Sequence, residues 1–137
     1  MGAWDCGIFD DDTAYDFADE IKEDPREFFR ASFSRAIKAD SLNDDACHAV
    51  TVSAAYMDNL LNGTTYRTDS HEETDESNVN LFQSLRGDLR VEDLKPQAVA
   101  ALAMVIGDKS ELNELWRETE SYQRWRKNIE ELIARLR

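Results

Sequence analysis

Between Ser121 and Leu136 the apolar residues fall at Trp125, Ile129, Leu132, Ile133 and Leu136, while Arg124, Lys127, Glu130, Glu131 and Arg135 take other positions. Steps of three and four put the first set along one side of a 3.6-residue helix and the charges on the opposite side. A stripe of that kind must be buried against other stripes, and the rest of the chain supplies them at the same period. The spacing therefore commits the sequence to an all-α bundle.

The punctuation agrees. Asp10-Asp11-Asp12 supplies N-cap candidates for a helix running to about Glu23, with Ala14, Phe17, Ala18 and Ile21 on one face. Asp24 then caps, and Pro25 suits the first position of a second helix that carries Phe28, Phe29, Phe33, Ala36 and Ile37 inward to about Ala39. A third helix is expected over Asp44 to Asn62, capped by Asp44 or Asp45 and ended by Gly63, with Ala46, Ala49, Val50, Met57, Leu60 and Leu61 as its stripe. The stretch from Gly63 to Asn78 is almost free of apolar residues and reads as a long loop. Val79, Leu81, Phe82 and Leu85 form one or two helical turns or a short strand, closed by Gly87. Pro96 opens a further helix with Val99, Leu102, Val105 and Ile106 inward, and Ser110 caps the next, with Leu112, Leu115 and Trp116. About six helices in one domain, residues 1–137, with one long acidic loop, is the expected architecture. A chain of 137 residues is long enough for a single core, and no repeat or Pro/Gly linker divides it.

Charge narrows the function. Residues 1–24 hold nine acids against Lys22 alone, and residues 69–76 hold five acids and no base; these balances of −8 and −5 equal the whole formal charge of −13. The acidity is thus local, of the kind that steers a basic partner, and not an even coat. Acids in a first helical turn also complement the helix dipole, and acids in a loop are ordinarily solvated. Direct nucleic-acid binding is disfavoured, because it requires clustered Lys and Arg. No apolar run approaches the roughly 20 residues of a membrane helix, and the start lacks the pattern of a signal peptide. Two cysteines, Cys6 and Cys47, fit reduced thiols in a cytoplasmic protein, with Cys47 a small core residue.

Chemistry finds little purchase. The metal-ligating candidates Cys6, Cys47, His48 and His71 show no zinc spacing. Asp12, Asp16, Asp19 and Glu20 share a helical face, yet lack the alternating ligands and central Gly of a calcium loop. There is no nucleophile elbow, phosphate loop or dinucleotide fingerprint, so the expectation is a non-enzyme without cofactor. Trp116 and Trp125 read as core anchors, and Trp4 as part of an opening clasp.

The opening Met1-Gly2-Ala3-Trp4-Asp5-Cys6-Gly7-Ile8-Phe9-Asp10-Asp11-Asp12, followed by Ala14 and Asp16-Phe17, resembles the bacterial family called domain of unknown function 4259. The alanine-rich third helix ending Leu60-Leu61-Asn62-Gly63, and Ser110-Glu111-Leu112 followed by Leu115-Trp116, add to the likeness. Asp5 stands where the family usually has Gly, and the excursion 64–77 is longer than usual. The resemblance implies a helical bacterial domain and transfers no catalytic residues. In type, though not in motif, small acidic single-domain proteins also look like the immunity proteins that accompany bacterial toxins.

The expected function is accordingly an acidic protein-binding inhibitor, an immunity protein for a basic toxin such as a nuclease. The carboxylates expected to contact the partner are Asp10, Asp11, Asp12, Asp16, Asp19 and Glu20, then Asp69, Glu72, Glu73, Asp75 and Glu76. A divalent-metal hydrolase and a structural subunit are the competing classes.

Overall fold

A computed structural model describes residues 7–8, 17–66 and 79–137 of the chain. Among them are seven α-helices: α1 (Ala18–Glu23), α2 (Pro25–Lys38), α3 (Asp44–Asn62), α4 (Phe82–Leu85), α5 (Lys95–Val105), α6 (Glu111–Arg117) and α7 (Tyr122–Leu136). Single 3-10 turns, Val79–Leu81 and Glu92–Leu94, lead into α4 and α5. No strand occurs among the described residues, so the all-α expectation stands, with one helix more than the six expected. The turns at 79–85 are helical, which removes the strand alternative there.

The centre of the molecule is α3. Every residue from Ala46 to Leu60 is buried, because α2, α4, α5, α6 and α7 all pack against it. The sequence reading assigned it a single stripe. The signal for full burial is that Asp45 and Asp58 enclose twelve residues without a charge, several of them Ala or Ser small enough to let neighbouring helices approach. Phe29 of α2, Tyr56 of α3 and Phe82 of α4 meet in an aromatic cluster with ring centroids 5.1–6.4 Å apart. On the other side Trp116 of α6 stacks on Trp125 of α7 at 6.1 Å, as anchors of the core. Among the described residues, the buried apolar side chains other than Ala49 join into one continuous cluster.

Helix ends follow local chemistry, with two corrections. Asp24 accepts a hydrogen bond from the Glu27 amide and Pro25 occupies the first turn of α2, while the Ser110 hydroxyl accepts from the Asn113 amide at the start of α6. Gly63 closes α3 at φ 75°, a left-handed conformation that needs glycine. The cap of α3, however, is Asn43, whose side chain accepts from the Ala46 amide at 2.8 Å; Asp44 and Asp45 lie one and two positions inside, where they face the dipole but are already helical. Likewise the helix that ends at Glu23 starts only at Ala18, with Phe17 at its cap, while the expected cap residues Asp10, Asp11 and Asp12 lie outside the described residues.

The stripe of α7 is buried at all five expected positions. Elsewhere the faces are narrower than expected. Phe29, Ser32, Phe33 and Ala36 set the inner face of α2, so Ile37, about 100° round the helix from Ala36, is 43% exposed. In α6, Leu112, Asn113 and Trp116 point inward and Leu115 is 38% exposed. In α5, Ala98, Ala101, Leu102 and Val105 form the inner face, leaving Val99 and Ile106 only half-buried. The link before α3 is pinned to the link before α6 by an isolated parallel bridge, in which the Leu42 amide donates to the Lys109 carbonyl and the Glu111 amide to the Leu42 carbonyl. No helix among the described residues is long and apolar enough to cross a membrane.

Candidate functional site

Only one aspartate, Asp58, is wholly buried among the described residues, near the C-terminal end of α3. A carboxylate removed from water is costly unless its lone pairs are filled, and here three donors fill them. Arg135 Nε of α7 donates to Oδ2 at 2.7 Å, the Tyr66 hydroxyl donates to the same oxygen at 2.6 Å, and Asn62 Nδ2 donates to Oδ1 at 2.7 Å. Burial, followed by the hydrogen bond to Asp58 and its charge, pushes the Tyr66 phenol well above the ordinary tyrosine range, with Arg135 opposing. Burial pulls the Arg135 guanidinium down, but its bonds to Tyr66 and Asp58 outweigh that and leave it raised.

Tyr66 is held at both ends. Its amide donates to Asn80 Oδ1 and its carbonyl accepts from Asn80 Nδ2, each at 2.7 Å. One side chain thereby mimics a strand partner and joins the two ends of the chain segment that carries the second acidic group. Asn59 reinforces the junction, since its side-chain Nδ2 donates to the Thr64 carbonyl at 2.9 Å and its Oδ1 accepts from the Gln83 backbone amide at 2.9 Å.

Over this network opens a cleft of about 180 Å³. Thr65 and Tyr66 form one wall, Gly7 and Ile8 another, and Asn128, Glu131 and Arg135 of α7 complete it. Its charged side chains are one acid and one base, and the base is matched from beneath by Asp58.

Of the expected contact residues, Asp10, Asp11, Asp12, Asp16, Asp69, Glu72, Glu73, Asp75 and Glu76 lie outside the described residues; Asp19 and Glu20 fall in α1, where Glu20 is exposed. Cys6, His71 and Trp4 also lie outside. Cys47 is a buried free thiol 3.2 Å from the Ser110 hydroxyl, and burial raises its pKa, so it is a core residue as expected. His48 is buried with Nε2 3.3 Å from Asp44 Oδ1, one turn back along α3. Among the described residues no three His, Cys, Asp or Glu side chains converge as metal ligands.

A family model described as Domain of unknown function (DUF4259) matches residues 2–128. The chain belongs to this family. No curated protein and no solved structure matches it significantly. The DUF4259 match takes in Asp58, Tyr66, Asn80 and Asn128, whereas Glu131 and Arg135 lie beyond its last matched residue. The cleft is therefore built partly from the family's matched stretch and partly from the last turns of α7.

Sequence reading placed Glu131 and Arg135 on the outer face of α7 and gave Asp58, Tyr66 and Asn80 no role. Arg135 is in fact turned inward, its side chain 34% exposed. One signal was available: Asp58 is the sole charge between Asp45 and Gly63, on the longest helix among the described residues. Its partner is 77 residues away, beyond the reach of any local period.

Proposed function

We propose that the protein is an acidic protein-binding inhibitor, an immunity-type protein that acts in the cytoplasm by covering the basic surface of a bacterial toxin such as a nuclease. The observation that carries this reading is the position of the points from which the two acidic segments depart. Ile8 stands two residues before Asp10, Tyr66 stands three before Asp69, and both line the same cleft. The acid runs at residues 10–12 and 69–76 thus each follow, a few residues along the sequence, from a residue that lines one cleft. Merely solvated acids have no reason to share an origin, whereas a surface that competes for a phosphate-binding groove has one.

The hydrogen-bonded clamp of Tyr66 on Asn80 supports the same reading. It fixes both ends of the second acidic segment, which lowers the ordering cost of presenting those carboxylates to a partner. The test is to replace Asp69, Glu72, Glu73, Asp75 and Glu76 with Ser and follow association with the protein encoded beside this one. At low salt the association rate is expected to fall by about tenfold or more, with the difference closing at high salt as screening takes over. An unchanged rate and salt dependence would sink the proposal.

A further inference from the structure

We infer that the cleft between Tyr66 and the last turns of α7 is the anchor pocket for one arginine side chain of the basic partner, with Glu131 receiving its guanidinium. This rests on the inhibitor reading and names the chemistry by which that face holds what it attracts. Size comes first: about 180 Å³ is below the roughly 300–1,000 Å³ of sites that enclose a whole small molecule. It suits a single long side chain.

Charge selects the occupant. Arg135 on the cleft wall would repel a cation, but Asp58 lies 2.7 Å from its Nε and is completely buried, so the pair presents no net charge. Glu131 is then the charge left to act on what enters. Its carboxylate stands 4.0 Å from Lys127, an exposed side chain one turn back on α7, and an exposed pair at that distance contributes little and exchanges readily. A partner's cation can replace Lys127 at small cost. Tyr66 belongs to the lining, and a planar guanidinium can lie along a tyrosine ring while its two-pronged fork meets a carboxylate, a combination that a compact ammonium ion, with neither plane nor fork, cannot reproduce.

Location fits the role as well. Ile8, two residues before Asp10, and Tyr66, three before Asp69, both line the cleft, so the acids that follow them would steer the partner and the cleft would hold it. Long-range charge acts mainly on the association rate, while a seated anchor acts on the dissociation rate.

Two substitutions separate these roles. Glu131→Gln and Glu130→Gln remove the same charge from adjacent positions of α7, but Glu130 pairs loosely with Arg126 at 3.9 Å and takes no part in the cleft. The probe is a nona-arginine peptide, with nona-lysine beside it, and rates are measured by stopped-flow fluorescence after melting curves confirm that both variants are folded. The inference expects both variants to slow association alike, and only Glu131→Gln to speed nona-arginine dissociation, by about three- to tenfold. It also expects nona-lysine to leave the wild type faster than nona-arginine. Equal dissociation rates for the two variants, or for the two peptides, would overturn the anchor while leaving the inhibitor reading in place. Failure of the wild type to bind either peptide would overturn both.

Discussion

Asp58 is held by three donors from three parts of the chain, so its removal is felt by all of them. Asp58→Asn leaves the Arg135 charge without its counter-ion, and since that side chain retains partial access to water the expected loss is about 2–4 kcal/mol. Urea unfolding measures it. Replacing both members, as Asp58→Leu with Arg135→Leu, should recover most of the loss, because a buried ion pair specifies geometry more than it stabilises. Tyr66→Phe removes one hydroxyl and should cost about 1–2 kcal/mol. The phenol also sets a pH dependence: a proton held more tightly in the folded state than in the unfolded one gives stability that is full below the unfolded tyrosine value of about 10 and is lost as pH rises toward the higher folded value. Wild type should therefore lose stability between about pH 9.5 and 11.5 more steeply than Tyr66→Phe, as urea midpoints across that range would record. Equal slopes would mean that the phenol is not shifted.

At the level of helices, most boundaries were legible because the chain marks them with residues whose geometry allows little else. Asp24-Pro25 starts α2, Ser110 starts α6 and Gly63 ends α3. Gly63→Ala should cost about 1 kcal/mol from its left-handed backbone, since the added methyl meets only the Gln83 side chain at an ordinary 3.6 Å. The span of α3, Asp44–Asn62, is as expected, but its cap was misread by one or two residues, because Asn43, Asp44 and Asp45 are all good caps in sequence and the choice depends on where the bridge at Leu42 delivers the chain. Asn43→Ala should cost about 1 kcal/mol in thermal or urea unfolding, and Asp45→Ala a few tenths. If the two losses are equal, the cap assignment is wrong. Periodicity found the α7 stripe complete, yet misplaced Ile37 and Leu115, whose exposure depends on which neighbouring helix fills the adjoining groove. That choice is tertiary, as is the pairing of Asp58 with Arg135, and no window of sequence contains it.

For the whole molecule, the separation between a nearly neutral remainder and two acidic segments sets stability against recognition. Outside residues 1–24 and 69–76 the chain holds equal numbers of acids and bases, so ion pairs there, such as Arg26 with Asp93 at 2.6 Å, are locally compensated. The excess in the two segments has no such compensation in composition, and like charges close together along a chain repel. If these acids serve a partner and not the fold, the five-serine variant of residues 69–76 should melt at or above the wild-type temperature at about 10 mM salt, where the Debye length is roughly 30 Å. The gap should shrink as salt rises to about 1 M, where that length is roughly 3 Å. A lower melting temperature in the variant would instead mean that those carboxylates hold the fold together through ion pairs, and that their effect on partner association reports structure before recognition. Melting curves at the two salt concentrations therefore decide whether loss of association in the same variant can be assigned to the binding surface.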